Sequence, residues 1–448
     1  MDKQNLQTYN MITRKLLSQF AADESQNVVF SPLSVLILLG MLADATEGQT
    51  QDEINKVLGD GLELQAVIDW LSYIQKKLEE SGALKSSNAV CIKEEIKSKI
   101  VDGYENHLKE SFNGKLFSAA NMVDAVNEWV NRNTKGMIQK IADDSMKSML
   151  ACLLNAIAFE ARWVQKYKFD DLDYWDFNNS DGTSSEVTMM RSTEWQYIED
   201  AHFTGFTKPY KDVGYSYMAL LPKQDDSGYL KDAIRELDLT ALYNSRVREE
   251  VHTEIPEYKL EFSEQLNDFC KSLGIEKVFS DSADFSPMID EWIKVDQIIH
   301  KAFIQVDRNG TKAAAVTAAV CVAGGCPVMD YKTVILDRPF IYAVVHDDTG
   351  IPVFVGVVNN LEGGDYELED IELDELYFDS DEECREYVKS TFREIAERIH
   401  PDKSSIYETS EEIRNLFAEA QRYYKEQDPY GLQVVKFNID RLLDELDD

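Results

Sequence analysis

Basic residues are scarce in this chain. Forty-six Lys and Arg stand against 82 Asp and Glu in 448 residues, a formal net charge of −36. Such a surface repels phosphate backbones and anionic headgroups, so nucleic acid and a membrane surface are excluded as partners. No apolar run approaches the length of a transmembrane helix. The first twenty residues, MDKQNLQTYNMITRKLLSQF, lack the basic, apolar and small-residue succession of a secretory signal, so a cytoplasmic location is expected, with export as the alternative. Cysteine is thin and scattered (Cys91, Cys152, Cys270, Cys321, Cys326, Cys384), with no CxxC pair, which argues against a structural zinc site or a disulfide framework. The six histidines share no spacing with Cys, Asp or Glu that would build a metal centre or a catalytic triad. Neither a cofactor nor enzymatic turnover is therefore expected, and no internal repeat is visible.

What is present is globular in character: 44% hydrophobic and 10% aromatic residues, in a length that allows two or three domains. Tyr9 to Phe20 reads as an amphipathic helix. Asn27 to Phe30 reads as a short strand, followed by Ser31 as an N-cap and Pro32 at the first helical position. The helix after it is too uniformly apolar for a surface and should be the central core helix. Helical stretches (Ala66 to Glu80, Lys97 to Phe112, Met122 to Ile138) then alternate with strand-like ones. Leu153 to Trp163 reads as a long strand; Val187 to Met190, Tyr215 to Leu221 and Glu254 to Phe262 follow. The pattern predicts an α+β fold with a large, mostly antiparallel sheet.

One stretch organises the rest: Val306 to Pro339, VDRNGTKAAAVTAAVCVAGGCPVMDYKTVILDRP. Small and β-branched residues run without charge from Lys312 to Asp330, and can enter a sheet as a strand. Gly324, Gly325 and Pro327 mark an exposed turn. By itself this reads as a buried strand and a hairpin.

Five motifs in order change that weighting: NVVFSPLS (Asn27 to Ser34), NAIAFEARW (Asn155 to Trp163), IPEYKLEF with LGIEKVFSDSADFS (Ile255 to Ser286), HKAFIQVDRNGT (His300 to Thr311) and LDRPFIYAVVHDDTGIPVFVGVVNN at the close. Over roughly residues 5–361 the chain resembles a serpin. The resemblance implies the serpin fold: a central sheet, surrounding helices and an exposed reactive loop. It implies suicide inhibition of a serine protease, which attacks the loop and is trapped as a covalent acyl complex when the cut loop inserts into the sheet. It also implies that His300, otherwise a satisfied core histidine beside an Ile-Ile pair, joins Ser31, Ser34 and Asn155 in a polar cluster under the opening of the sheet. A monomer is expected, and most serpins being secreted supports the export alternative.

Insertion demands small inward-facing side chains in alternation. Thr311, Ala313, Ala315, Thr317 and Ala319 form one such face, while Lys312 falls on the solvent side. Gly310 supplies the pivot. Most inhibitory serpins carry a glutamate at the position of Arg308 and a lysine at that of Glu257, so an Arg308–Glu257 ion pair is expected, with the signs exchanged. Counting forward from Gly310 by the family spacing places the scissile bond at Gly324–Gly325, with Ala323 and Cys326 as alternatives; counting back from Pro339 places it near Val328. Small residues there suit an elastase-like or subtilisin-like protease with a shallow pocket. Non-inhibitory serpins form the other reading of this region.

After Asn360 the composition changes. Residues 362–383 hold twelve acids and no base, a solvated linker between the body (1–361) and residues 384–448. CREYVKSTFREIAERIHPDKSSIYETSEEIRNLFAEAQRYYKEQD shows two amphipathic helices joined at HPDK and resembles the core of a J-domain, a small all-α module. His400, Pro401 and Asp402 would then be the loop that stimulates an Hsp70-type chaperone. Leu416, Ala418, Ala420 and Tyr423 or Tyr424 would lie on or beside the packing face. The signature of the usual first helix is missing from the acidic stretch before it.

Overall fold

The computed structural model describes residues 3–59, 62–134, 140–143, 149–167, 171–224, 227–295, 297–311, 331–362, 381–400, 411–426, 432–433, 435–436 and 439. In chain order, α1 (Lys3–Phe20), β1 (Val28–Phe30), α2 (Pro32–Asp44), α3 (Gly48–Gly59) and α4 (Leu64–Glu79) come first. Then follow β2 (Leu84–Lys93), α5 (Tyr104–Phe112), β3 (Gly114–Ala119), α6 (Met122–Asn133), β4 (Ala151–Phe159) and β5 (Ala161–Arg162). The middle holds β6 (Leu172–Asn178), β7 (Ser184–Glu194), β8 (Tyr197–Glu199), β9 (Phe203–Pro209), β10 (Tyr215–Pro222), α7 (Ser227–Glu236) and α8 (Leu239–Ser245). The body closes with β11 (Val251–Pro256), β12 (Tyr258–Gln265), α9 (Asn267–Ser272), β13 (Ile299–Asp307), β14 (Gly310–Thr311), β15 (Lys332–Ile335), β16 (Phe340–His346) and β17 (Ile351–Val358). Beyond it lie α10 (Asp381–Ile399) and α11 (Glu411–Glu426).

The core helix α2 forms where the sequence places it. Ser31, in extended conformation, accepts the Ser34 N–H on its side chain, and Pro32 begins the helix. Every residue from Pro32 to Ala43 is buried, because the helix is apolar all round.

Two expected elements break. Lys97 to Phe112 is not one helix: a 3₁₀ turn at Glu94–Lys99 ends in an Ile100–Ile289 bridge, and α5 begins only after Gly103, whose φ of 91° no interior helical residue adopts. Glu254 to Phe262 is two strands. Pro256, which has no N–H for a ladder, is the last residue of β11, and after Glu257 the chain enters a different sheet as β12.

The sheets stand in the order β1-β17-β16-β10-β9-β8, β15-β11-β7-β6, β12-β13-β14-β5 and β3-β2-β4. The last two belong together, since β4 and β5 are one strand broken only at Glu160. Pairing is antiparallel throughout these sheets except for β2 with β3 and β11 with β15. A continuous core of buried residues joins α1 and α2 to both large sheets.

The described residues up to Thr311, with 331–362, form one compact unit; those from 381 onward form another. In the second, α10 and α11 close on a core of Val388, Ile395, Ile399, Ile413, Phe417 and Ala420, with the Phe392 and Tyr424 rings 4.4 Å apart. Ala418, expected on or beside this face, is exposed, and Phe417 takes its place. The 3.6-residue period starting from Ile413 selects 413, 416, 417 and 420. The His400 ring meets Phe417 edge-on at 5.4 Å, whereas Pro401 and Asp402 lie outside the described residues.

Candidate functional site: the loop hinge and the strands that flank it

Gly310 and Thr311 form the first rung of a strand between β13 and β5. Val306 pairs with Thr311 and Asp307 with Gly310 on one side; Arg162 pairs with Gly310 and Ala161 with Thr311 on the other. Only glycine fits at 310, because a Cβ there would meet the Ala161 carbonyl oxygen at 2.2 Å and the Arg162 Cα at 2.7 Å. Below this rung the flanking strands pair outward. Among the described residues β13 bonds to β12, and β4 bonds to β2. The loop's other end is held by β15, parallel to β11.

The turn before the hinge is held through its main-chain groups, by side chains as well as by other main-chain groups. The Asp307 carboxylate accepts the Asn309 and Gly310 N–H groups, at 2.8 and 3.2 Å. Trp163 N–H donates to the Asn309 carbonyl at 3.0 Å, its indole N–H to the Asp307 carbonyl at 2.9 Å, and Tyr167 N–H to the Arg308 carbonyl at 3.2 Å. Glu257 meets Arg308 at the main chain: its Oε1 accepts the Arg308 N–H at 3.0 Å. Burial raises the Glu257 carboxyl above its ordinary range, while that N–H and the Arg308 charge pull it back down.

Thr311 is 1% exposed, and its Oγ1 lies 2.6 Å from the Tyr210 hydroxyl. The Tyr210 ring stacks on Trp163 at 4.6 Å. Beneath them a buried ion pair joins Lys208 Nζ to Glu194 Oε1 at 2.6 Å, with the ammonium 4.3 Å from the Tyr167 ring centre. Ser192 donates to the same Glu194 oxygen at 2.8 Å. Sequence reasoning missed Tyr167, Glu194, Lys208 and Tyr210. The only signal available was the tryptophan closing NAIAFEARW, and it says nothing about partners.

The expected polar cluster divides. Ser31 N–H donates to His300 Nε2 at 3.3 Å, and Ser31 Oγ caps Ser34. The Asn155 amide instead donates to Asn88 Oδ1 at 2.6 Å, and Asn88 in turn donates to the Phe112 carbonyl. Burial pushes the His300 imidazole down to about 4, consistent with a neutral ring accepting an N–H. The unfolded chain therefore binds a proton that the folded chain refuses between pH 6.5 and about 4. Stability should hold above pH 6.5 and fall by about 2 kcal/mol by pH 5. Urea titrations across this range should show the slope. His300→Gln should flatten it and leave a smaller contribution from His346, which burial shifts the same way. A wild-type chain equally stable at pH 5 and 7 would contradict this account.

The scissile-bond residues Gly324 and Gly325, their neighbours Ala323 and Cys326, and the hinge positions Ala313, Ala315 and Thr317 lie outside the described residues. No group of three or more His, Cys, Asp or Glu among the described residues could hold a metal ion. No described helix is long and apolar enough to cross a membrane.

Residues 7–361 match the family model described as Serpin (serine protease inhibitor). Iripin-2 from Ixodes ricinus is 30% identical over 372 residues, covering 79% of this chain and 92% of its own. Neuroserpin from Gallus gallus is 28% identical, covering 78% and 90%. Among solved structures, the thermophilic serpin Tengpin in its native state superposes with a TM-score of 0.72 at 31% identity, covering 81% of this chain and 95% of its own. Thyroxine-binding globulin, in complex with thyroxine, gives 0.71 at 22% identity, covering 79% and 98%, and shares the fold. With Gly310 and Thr311 paired between two strands of the central sheet and this span of similarity, the chain belongs to the serpin family.

Proposed function

We propose that the protein is an irreversible suicide inhibitor of a serine endopeptidase with a shallow primary pocket, elastase- or subtilisin-like. The protease cleaves at Gly324–Gly325, and the freed loop follows Gly310 and Thr311 into the sheet between β5 and β13. The observation that carries this reading is the first rung itself: two loop residues already paired on both sides, with no side chain at 310 and a small one at 311. Incubation with pancreatic elastase, subtilisin and trypsin tests it. An SDS-stable complex should form with one of the first two and not with trypsin. Complete cleavage without a complex, by all three, would favour a non-inhibitory serpin.

A second reading concerns residues 384–448, where His400 packs on Phe417 at the end of α10. If this module acts on an Hsp70-type chaperone, the full chain should raise that chaperone's ATPase rate and His400→Gln should not. Equal rates with both proteins would remove the co-chaperone role.

A further inference from the structure

Two cysteines oppose each other inside the body. In the antiparallel pairing of β2 with β4, Cys91 is the direct cross-strand partner of Cys152. Both are buried free thiols, Cys91 at 0% exposure and Cys152 at 6%. They also point to the same side of the sheet. Cys91, Cys152 and Leu154 pack in one apolar cluster with Met122 and Val126 of α6, whereas Val90 and Ile92 turn to the main core. Cys91 donates its S–H to Met122 Sδ at 3.5 Å.

The spacing suits a covalent bond. Directly opposed residues of an antiparallel pair have Cα atoms about 4.5–5.5 Å apart, inside the range of about 4.4–6.8 Å that disulfides span. Their Cβ atoms, about 4.5–5.5 Å apart in such pairs, need to draw in by about 1 Å or less. The bond is uncharged, so the apolar cluster under α6 can hold it without a desolvation cost. α6 covers both strands by side-chain packing, and Asn127 ties it to the chain beyond, bonding the Ala142 carbonyl and N–H at 2.9 and 2.8 Å. The neighbouring Cys91 sulfur and burial push the Cys152 thiol well above its ordinary value, so it reacts only when α6 lifts.

We infer that Cys91 and Cys152 form a redox-sensitive site, a dithiol that a low-molecular-weight disulfide such as oxidised glutathione converts into a bond stapling β2 to β4. Cys152, the less buried of the two, loses its proton and attacks the reagent's S–S bond; one thiolate leaves and a mixed disulfide forms. The Cys91 thiolate then attacks the Cys152 sulfur and expels the second thiolate. Two electrons pass to the reagent, and the two cysteine protons end on the two released thiols. β4 leads through Glu160 into β5, which borders the gap that receives Gly310 and Thr311. The staple therefore secures that border from its far side and leaves its pairing with the hinge untouched. The site stays a dithiol where thiols are kept reduced and closes in an oxidising compartment.

The test equilibrates the full, folded chain with glutathione disulfide, then quenches it in acid, alkylates the remaining thiols and digests it for mass spectrometry. A peptide pair joined through Cys91 and Cys152 should be recovered. Thermal unfolding of the linked chain should shift up by about 5 °C and return on treatment with dithiothreitol, because the bond closes a long loop of the unfolded chain. Cys91→Ala and Cys152→Ala should each show neither the link nor the shift. Cys270→Ala should show both, since Cys270 is also buried but lies on α9. Absence of the link after equilibration, its appearance only in urea-unfolded chain, a linked chain that melts no higher than the reduced one, or an equal shift in Cys152→Ala overturns the site.

Discussion

Cleaving the loop should move thermal unfolding of the body into the hyperstable range, above about 90 °C, and Thr311→Arg should abolish that gain. The reasoning starts from the rung already in place. Thr311 is buried, with its hydroxyl 2.6 Å from that of Tyr210, and Tyr210 lies stacked on Trp163. An arginine at 311 would drive a guanidinium into this contact. Among the described groups, the nearest buried acid, Glu194, is already paired with Lys208. An uncompensated buried charge costs several kcal/mol, and a strand that cannot seat its first inward residue cannot zip the rest. The variant should fold, because its loop can stay out of the sheet, and should be cut at the wild-type rate. It should then behave as a substrate: released protease, a stoichiometry of inhibition many times wild type, and an unaltered melting temperature after cleavage. Calorimetry before and after limited digestion gives one readout and the SDS-stable complex the other. A cleaved Thr311→Arg chain as heat-resistant as cleaved wild type would remove insertion from the mechanism.

The elements of this fold were legible where one face or one cap dominates. Ser31 and Pro32 announce α2, and its unbroken apolar run announces its burial. The alternation from Leu153 announces β4 and β5. Elements that depend on distant partners were not legible. The separation of β11 from β12 follows from which sheets lie on either side of Glu257, and the shortening of α5 follows from the pairing of Ile100 with Ile289. The hinge was legible in part. Gly310 reads as a pivot, yet the reason for glycine lies in backbone atoms of Ala161 and Arg162, nearly 150 positions earlier in the chain. Glu257 and Arg308 read as a pair of opposite charges; the Glu257 carboxylate also accepts the Arg308 N–H, a bond any residue at 308 other than proline could donate. A lysine buried under two rings leaves no mark in the sequence around Lys208, FTGFTKPY, which reads as ordinary strand.

Removing that lysine should be the most destabilising single change in the hinge region. Lys208 is 2% exposed and bonded to Glu194, itself 9% exposed, with Ser192 sharing the carboxylate. Lys208→Met keeps the length of the side chain and much of its packing against Tyr167, but strips the counter-charge from a buried carboxylate. A loss of about 3–5 kcal/mol is expected, against little net cost if both partners become apolar. The double variant Lys208→Met with Glu194→Leu should therefore recover most of it, a coupling that separates the charge from mere loss of volume. The consequence reaches the hinge through one residue. Tyr167 carries the cation on its ring and holds the Arg308 carbonyl with its N–H, so a disordered Tyr167 loosens the turn that leads into Gly310 and Thr311. Incubated at a temperature that leaves wild type active, Lys208→Met should lose inhibitory capacity with time and gain heat resistance without any cleavage. The double variant should stay active. Urea titration followed by tryptophan fluorescence measures the first effect, and residual titration of protease measures the second. If Lys208→Met lowers stability by less than about 1 kcal/mol, or if the double variant is as unstable as the single, the buried pair does not brace the hinge.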